Sequence, residues 1–273
     1  MPTVLCGSIS LHPAMLGATM HRAAYRALEL DFAYVPFKVS DVAGALTGMR
    51  ALGIRGFGVS MPHKLTVIPL LDKLDPLAAK IGAVNTIVND DGVLTGYNTD
   101  ALGARRALEE HTQLPGQRVT LIGAGGAARA IAFSLLEAGA NVTLVNRSPE
   151  RAQALAAELE RKFANDRARV HEGSLDEPQQ SDIMVNASSG GMKDIVLDAR
   201  VFAFAERASV VMDIVYKPVE TALIDFARRN GKVAIHGGRM LLHQARSQFE
   251  LYTGKPAPLD VMDRALREAL AEV

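Results

Sequence analysis

Cysteine is nearly absent from this chain, since Cys6 is the only one among 273 residues. A single cysteine cannot form an intramolecular disulfide, which is typical of proteins in a reducing compartment. The chain also has no excess of positive or negative charge, because its 30 basic and 30 acidic residues give a formal net charge of zero. The composition therefore predicts no nucleic-acid partner and no binding to an anionic membrane.

Long apolar runs are missing as well. No segment approaches the roughly 18 consecutive apolar residues that span a bilayer. The first residues, MPTVLCGSISLHPAML, lack a basic stretch followed by an apolar one, so we expect no secretory signal. We expect a soluble cytoplasmic protein, with a chain long enough for one large core or two modest ones.

Strands and helices alternate along the chain, and this pattern predicts an α/β fold. We predict two domains with a cleft between them, one of residues 1–101 plus 239–273 and one of residues 102–238. Within the first domain we expect a helix from about His63 to Leu71 and a hairpin turning at Asp91-Gly92. An amphipathic helix is expected near the end, from Arg239 to Gly254.

A glycine-rich turn follows the first strand of the predicted second domain. It matches G-x-G-x-x-A between a strand and a helix, and its residues are Gly123, Ala124, Gly125, Gly126, Ala127 and Ala128. Glycines permit the tight turn and a close approach to a pyrophosphate, which the helix N-terminus faces. The alternative is an ordinary turn, but the strand before it and the helix after it favour dinucleotide binding.

The end of the next strand carries Asn146, Arg147 and Ser148, with Arg151 one helical turn later. An NAD site usually has an acidic residue here, whereas guanidinium groups can bind a 2′-phosphate. Arg147 and Arg151 could instead be solvated side chains at a helix start. Cations there oppose the helix dipole, so an anionic ligand explains them better. The sequence favours NADP over NAD.

Polar fragments also lie near predicted strand ends of the first domain. They are Ser60-Met61-Pro62-His63-Lys64, Val84-Asn85-Thr86, Asn98-Thr99-Asp100 and the distant Gln244. Ligands of open α/β sheets bind beyond the carboxyl ends of strands, which makes these residues site candidates. Each also has an ordinary interpretation: Lys64 and Gln244 as surface side chains, Asn85 as a strand-end residue, and Asp100, Asn98 or Thr99 as a helix cap.

Seven segments, in the same order, resemble the shikimate dehydrogenase family. They are GVSMPHK (58–64), AVNTI (83–87), GYNTD (96–100), GAGGAARA (123–130), NRS (146–148), DIVYKP (213–218) and MLLHQARSQFELYTG (240–254). The matches extend over nearly the whole chain, and PHK followed by VNT and NTD is distinctive.

The resemblance implies roles for individual residues. Lys64 and Asp100 would flank the hydroxyl that is oxidised, Asn85, Gln244 and Tyr216 would bind the substrate, and Ser188, Met192 and Gly237 would line the cofactor. A lysine suits this chemistry, because an ammonium can stabilise and protonate the oxygen that hydride transfer leaves negative. The family uses no metal, and the histidines show no spacing typical of metal ligands.

Two regions depart from the family pattern. Its S-x-S-P motif, whose serines bind the substrate carboxylate, would place those serines at Met15 and Gly17, counting back from His21. Ser8, Ser10 and Thr19 are the candidate replacement hydroxyls. The T-T-P-x-G-M loop has become ASSGGM at 187–192. The chain therefore resembles a divergent, shikimate dehydrogenase-like branch of the family.

These observations predict an NADP-dependent oxidoreductase that reversibly reduces 3-dehydroshikimate or a related cyclic keto acid, acting as a monomer or homodimer. We expect the α/β domain of residues 1–101 plus 239–273 to be the substrate-binding and catalytic domain, and residues 102–238 to form a Rossmann-type NADP-binding domain. One alternative is a dehydrogenase for quinate or another polyol acid that uses NAD or NADP. Another is a sensor that binds NADP and a small acid with little catalysis, although a sensor has no need of a proton donor.

Overall fold

The computed structural model describes residues 2–164 and 169–271. The chain divides into two compact units, Met1–Leu102 with Leu241–Val273, and Gly103–Met240. Both divisions fall inside helices rather than in linkers. The elements, in chain order, are β1 Val4–Ser10, α1 Leu16–Ala27, β2 Phe32–Lys38, α2 Val42–Ala51, β3 Gly56–Val59, β4 Lys73–Leu74, α3 Pro76–Ile81, β5 Thr86–Asp90, β6 Val93–Tyr97, α4 Thr99–Glu109, β7 Arg118–Ile122, α5 Gly126–Glu137, β8 Asn141–Val145, α6 Pro149–Lys162, β9 Val170–Gly173, β10 Ile183–Asn186, α7 Val201–Glu206, β11 Val210–Asp213, α8 Ala222–Arg229, β12 Val233–His236, α9 Gly237–Thr253 and α10 Leu259–Ala271.

The first unit is built on a mixed sheet with the strand order β2-β1-β3-β5-β6-β4. β1 pairs in parallel with β2 and β3, whereas β5 runs antiparallel to β3 and β6. The carboxyl ends of β1, β3 and β6 therefore meet at one edge of the sheet. Successive side chains of a strand alternate between faces, and Ile9, Phe57 and Ile87 pack into an apolar core with α2 residues.

The first unit also has an aromatic layer. The ring of the buried His21 on α1 stacks on Tyr34 of β2 at 4.5 Å between centroids. Phe249 and Tyr252 of α9 lie 6.3 Å and 5.8 Å from the same ring. The expected amphipathic helix near the end of the chain is thus confirmed as α9, and its apolar face packs within this unit. The additional helix α10, which packs on α1, was not predicted.

Local turn chemistry explains one correct prediction and one wrong one. The hairpin β5–β6 is confirmed, with Asp91 and Gly92 at φ values of 51° and 91°. The helix expected from His63 to Leu71 is wrong, since residues 61–67 form turns and Ile68–Leu70 a short 3-10 helix. Pro69 has no backbone N–H to continue an α-helix. The N–H of Leu70 instead bonds to the carbonyl of Val67, three residues back, at 2.9 Å.

The second unit contains a parallel sheet in the order β12-β11-β10-β7-β8-β9. Counted within the unit and read from β9, this is the 3-2-1-4-5-6 order of dinucleotide-binding folds, which reverses between β7 and β10. The predicted α/β class with a Rossmann-type domain is therefore confirmed. None of the helices in the described part of the chain combines the length and apolar character needed to cross a membrane.

Replacing Gly56 by alanine tests the packing of α9 on the sheet. An added Cβ would lie 2.2 Å from Cε1 of Tyr252, a side chain that is only 2% exposed. We expect the free energy of unfolding, measured by urea denaturation, to fall by about 1–3 kcal/mol. The control is Gly48→Ala in α2, where the new methyl would meet nothing within 4 Å and alanine favours the helix. Equal stability of both variants would contradict this packing.

Candidate active site

The β5–β6 hairpin brings together polar fragments that are distant in sequence. Asn85 stands directly before β5, and Asn98 follows β6. The N–H of Asn85 donates to the carbonyl of Tyr97 at 3.0 Å, and the carbonyl of Asn85 accepts from Val59 N–H at 2.7 Å. Backbone pairing therefore holds Asn85 at the edge where β3 and β6 end, the edge at which α/β sheets bind ligands.

The side chains of Lys64 and Asp100 meet at this edge. The Nζ of Lys64 lies 2.5 Å from Oδ2 of Asp100, and Asn85 donates through Nδ2 to Oδ1 of Asp100 at 2.8 Å. The side chain of Asp100 is 3% exposed and that of Lys64 is 19% exposed. Both oxygens of the buried carboxylate therefore have donors, and the ammonium is the more accessible partner.

Asp100 does not cap α4, the helix in whose first turn it lies. Asn98 does so instead, because its Oδ1 accepts from the N–H of Ala101 at 3.2 Å while its Nδ2 donates to the carbonyl of Ala83 at 3.0 Å. The N-cap interpretation of Asp100 is therefore wrong. Asp100 lies in the first turn of α4, where a negative charge is favourable, and its carboxylate belongs to the cluster with Lys64.

Two further residues join this cluster: Thr86, predicted only as part of a polar fragment, and Gln248, which was not predicted. Thr86 donates through its hydroxyl to Oδ1 of Asn85 at 2.9 Å, and Gln248 on α9 donates through Nε2 to the hydroxyl of Thr86 at 3.1 Å. Gln248 stands one helical turn after Gln244, so both occupy one face of α9. That spacing was the available signal, and only the packing of α9 shows which of the two reaches the sheet.

Among the described residues, the other predicted substrate-binding residues of the first unit make no hydrogen bond to Lys64, Asn85 or Asp100. Gln244 is half-buried, and Tyr216 is a half-buried residue of the second unit, after β11. The half-buried Ser8 contacts the Tyr34 side chain, whereas Ser10 is 6% exposed. The hydroxyl of Thr19 donates to the carbonyl of Met15 at 3.2 Å, within the start of α1. In the described residues, no hydrogen bond joins Ser10 or Thr19 to Asp100.

The glycine-rich turn of the second unit has the geometry of a backbone cradle. It follows β7, and α5 starts at Gly126. Gly123 has a φ of 119°, and a Cβ there would lie 2.9 Å from the carbonyl oxygen of Ala187. A Cβ on Gly125 or Gly126 would meet nothing within 4 Å. The first glycine is thus required by the turn itself, while Ala124, Gly125, Gly126 and Ala127 leave space before the helix N-terminus, which suits an anion.

The segment after β8 presents polar groups at the start of α6. Asn146 donates through Nδ2 to the carbonyl of Ser148 at 3.0 Å, and the hydroxyl of Ser148 makes no capping bond to α6. Arg147 and Arg151 are both exposed. A hydroxyl not used for capping and two exposed guanidinium groups are suited to hold a phosphate.

The loop after β10 is held by its own side chains. The hydroxyl of Ser188 donates to Oδ1 of Asn186 at 2.7 Å and accepts from the N–H of Gly190 at 3.1 Å. Met192, at the end of this loop, is 40% exposed. At Gly237 a Cβ would lie 2.2 Å from the carbonyl oxygen of Ile214, so close packing requires glycine there.

A buried carboxylate lies behind this loop, at the end of β11. Asp213 accepts hydrogen bonds from Nδ2 of Asn186 at 3.0 Å, the hydroxyl of Thr221 at 2.7 Å and the N–H of Val215 at 3.1 Å. Burial raises the pKa of Asp213 to about 6, against the lowering effect of these donors. Residues 2–164 and 169–271 contain no group of three or more His, Cys, Asp or Glu side chains arranged to hold a metal ion.

Three family profiles match the chain. The profile described as shikimate dehydrogenase substrate binding domain matches residues 13–87, that of shikimate / quinate 5-dehydrogenase matches 105–222, and that of the shikimate 5'-dehydrogenase C-terminal domain matches 237–267. Together they extend over most of both units.

Individual relatives agree with these profiles. The shikimate dehydrogenase (NADP(+)) of Methanothermobacter thermautotrophicus is 42% identical over 265 residues, which cover 93% of this chain and 92% of that protein. A solved shikimate dehydrogenase in complex with NADP+ is 37% identical with a TM-score of 0.90, covering 98% of this chain and 96% of that one. The 5-ketofructose reductase of Gluconobacter sp. strain CHM43 is 32% identical with a TM-score of 0.89, covering 98% and 99%.

The raised pKa of Asp213 predicts how stability depends on pH. Between its ordinary value of 3.8 and about 6 the folded state binds more protons than the unfolded state, so this group's contribution to stability falls as pH rises. We expect the unfolding free energy of the wild type, minus that of Asp213→Asn, to fall by about 2 kcal/mol from pH 4 to pH 7. The exposed Asp260, replaced in the same way, is the control. A pH-independent difference for Asp213→Asn would contradict the prediction.

Proposed function

The chain belongs to the shikimate dehydrogenase family, and on that basis we propose that it is an NADP-dependent oxidoreductase that reversibly reduces 3-dehydroshikimate to shikimate or a closely related cyclic hydroxy acid. The observation that carries the proposal is the contact of Lys64 with the buried carboxylate of Asp100, which Asn85 also binds. This arrangement places a proton donor beside groups able to orient a hydroxyl.

Lys64 acts as the general acid when the ketone is reduced. Its ammonium donates a proton to the oxygen of the former carbonyl, which becomes the hydroxyl of the product. In the oxidation direction the neutral amine takes that proton back. Asp100 holds the ammonium in position, because its carboxylate is buried and bonded to Nζ. Asn85 fixes the other carboxylate oxygen and so limits rotation of Asp100.

Bound NADPH would supply the hydride for reduction of the ketone, and bound NADP+ would accept it when the hydroxyl is oxidised. The residues of the second unit fit this cofactor, since the space before α5 is open where Gly125 and Gly126 lack side chains. We assign Gly123, Ala124, Gly125, Gly126 and Ala127 to the pyrophosphate, and Asn146, Arg147, Ser148 and Arg151 to the ribose with its 2′-phosphate. Ser188, Met192 and Gly237 complete the proposed cofactor site, Ser188 and Gly237 by shaping the backbone.

The identity of the substrate, a cyclic hydroxy acid in our proposal, has one specific alternative. Met15 is 53% exposed and Gly17 has no side chain, so the two positions offer no hydroxyl to a carboxylate. One solved relative is a 5-ketofructose reductase, and one matching profile is described as shikimate / quinate 5-dehydrogenase. The second candidate is therefore a dehydrogenase for quinate or another polyhydroxylated substrate. Ser8, Ser10, Thr19, Gln244 and Tyr216 remain the proposed substrate-binding residues.

We further propose that residues 1–101 with 239–273 bind the substrate and residues 102–238 bind the cofactor. The proposed partner is the small-molecule substrate, with a monomer or homodimer as the active form. A cytoplasmic location is proposed from the single, buried cysteine.

Replacing Lys64 by alanine tests the catalytic assignment. Loss of a general acid typically lowers turnover by about 100- to 10,000-fold, so we expect kcat to fall by at least about 100-fold while the Kd for NADPH stays unchanged. Turnover is measured from NADPH absorbance, and Kd by fluorescence titration. The exposed Lys73, also changed to alanine, is the control. Undiminished turnover in Lys64→Ala would refute the role of this lysine.

Replacing Arg147 or Arg151 by alanine tests the choice of cofactor. Losing one hydrogen bond to a charged group costs about 1.5–3 kcal/mol, so KM for NADPH should rise about 10- to 100-fold while KM for NADH changes little. Arg161→Ala, at the far end of α6, is the control. Equal effects on both cofactors would contradict a 2′-phosphate site.

A substrate panel separates an enzyme from a sensor. The panel consists of shikimate, quinate and uncharged polyols. We expect the protein to reduce NADP with at least one of these compounds. Tight NADP binding without turnover on any member of the panel would favour the sensor.

A further inference from the structure

We propose that Gln248 is a positioning residue for the Lys64–Asp100–Asn85 cluster, an inference that rests on the proposed function. Gln248 lies half-buried on α9. Its Nε2 donates to the hydroxyl of Thr86 at 3.1 Å and lies 3.5 Å from the carbonyl oxygen of Asn85. A side chain of α9 therefore reaches the start of β5, directly beside the residue that binds Asp100.

The glycine at position 58 makes room for this contact. A Cβ on Gly58 would lie 3.3 Å from Nε2 of Gln248 and 3.3 Å from the hydroxyl of Tyr34. Both distances are shorter than ordinary van der Waals contacts of a methyl group. Absence of a side chain on β3 thus allows the amide of Gln248 to reach Thr86.

The directions of the hydrogen bonds follow from the chemistry of each group. The backbone N–H of Thr99 donates to Oδ1 of Asn85 at 2.7 Å, which identifies that atom as the amide oxygen. The hydroxyl of Thr86 donates its only proton to this oxygen at 2.9 Å, the shorter of two contacts, since the hydroxyl of Thr99 lies 3.4 Å away. Thr86 can then only accept from Gln248. The donors therefore point in one direction, from Gln248 through Thr86 to Asn85.

This direction of the hydrogen bonds matters for catalysis, because the nitrogen of the same Asn85 amide faces Asp100. Nδ2 of Asn85 donates to Oδ1 of Asp100 at 2.8 Å. A reversed amide would place an oxygen against a buried carboxylate, which is strongly unfavourable. By fixing the proton of Thr86, Gln248 helps keep the amide in the orientation that supports Asp100, and through Asp100 it supports Lys64.

Gln248→Glu is the sharpest test, because it keeps the shape of the side chain and removes the donor that faces the Thr86 hydroxyl and the Asn85 carbonyl oxygen. The introduced carboxylate can only accept, so the proton of Thr86 turns away from Asn85. We expect kcat to fall about tenfold in Gln248→Glu and Gln248→Ala, with the KM for NADPH unchanged. Gln179→Glu, the same change at an exposed position, is the control.

Gly58→Ala provides an independent variant. Its methyl group should displace the amide of Gln248 and lower kcat on its own. Combined with Gln248→Ala it should add little further loss, because both changes break the same hydrogen bond. Fully additive losses would overturn the link between these two residues.

A second measurement does not depend on turnover. The side-chain amide resonances of Asn85, identified by their loss in Asn85→Asp, should shift in Gln248→Glu and stay unchanged in Gln179→Glu. Unshifted resonances would overturn the proposal, as would an unchanged kcat with only a lower Tm. Shifted resonances in a protein whose wild type turns over no substrate would support the role of Gln248 and contradict the proposed enzyme function.

Discussion

The carboxylate of Asp100 is the group around which the first unit arranges its site. A charge that is 3% exposed must be matched by donors, and Lys64 and Asn85 supply one to each oxygen. Removing either donor would leave a buried charge only partly compensated, which is strongly destabilising. The loop before β4, the start of β5 and the start of α4 are therefore held together by one ionised side chain as well as by backbone pairing.

The candidate site of the second unit depends more on backbone geometry than on charged side chains. Its turn after β7 depends on Gly123, which adopts a positive φ and approaches Ala187 too closely for any side chain. The neighbouring loop is held by Asn186, whose oxygen binds the hydroxyl of Ser188 while its nitrogen binds Asp213. In both units the polar groups gather at the carboxyl ends of strands, where a sheet leaves backbone groups and helix N-termini available to ligands.

Two regions depart from the family pattern, the start of α1 and the loop after β10. The positions expected to carry serines are Met15 and Gly17, and the hydroxyl of Thr19 is used within its own helix. In the same unit, the absence of a side chain at Gly58 leaves room for Gln248. Lys64, Asn85 and Asp100 thus keep the family pattern while positions 15 and 17 do not, and specificity is set by the residues of a site rather than by its fold.

The amino-acid sequence by itself determined the features that depend on neighbours in the chain. Asp91-Gly92 predicts the hairpin turn, and Gly123 predicts the tight turn before α5. The alternation of strands and helices predicts the fold class. Each of these features follows from local backbone preference or from periodicity. Only the tertiary structure decided that Asn98 caps α4, that Asp100 pairs with Lys64, and that Gln248 reaches the sheet. Those contacts depend on how α9 and the β5–β6 hairpin pack on the rest of the unit. A polar side chain has several possible hydrogen-bond partners in the sequence, and only the packing of the folded chain selects one of these partners.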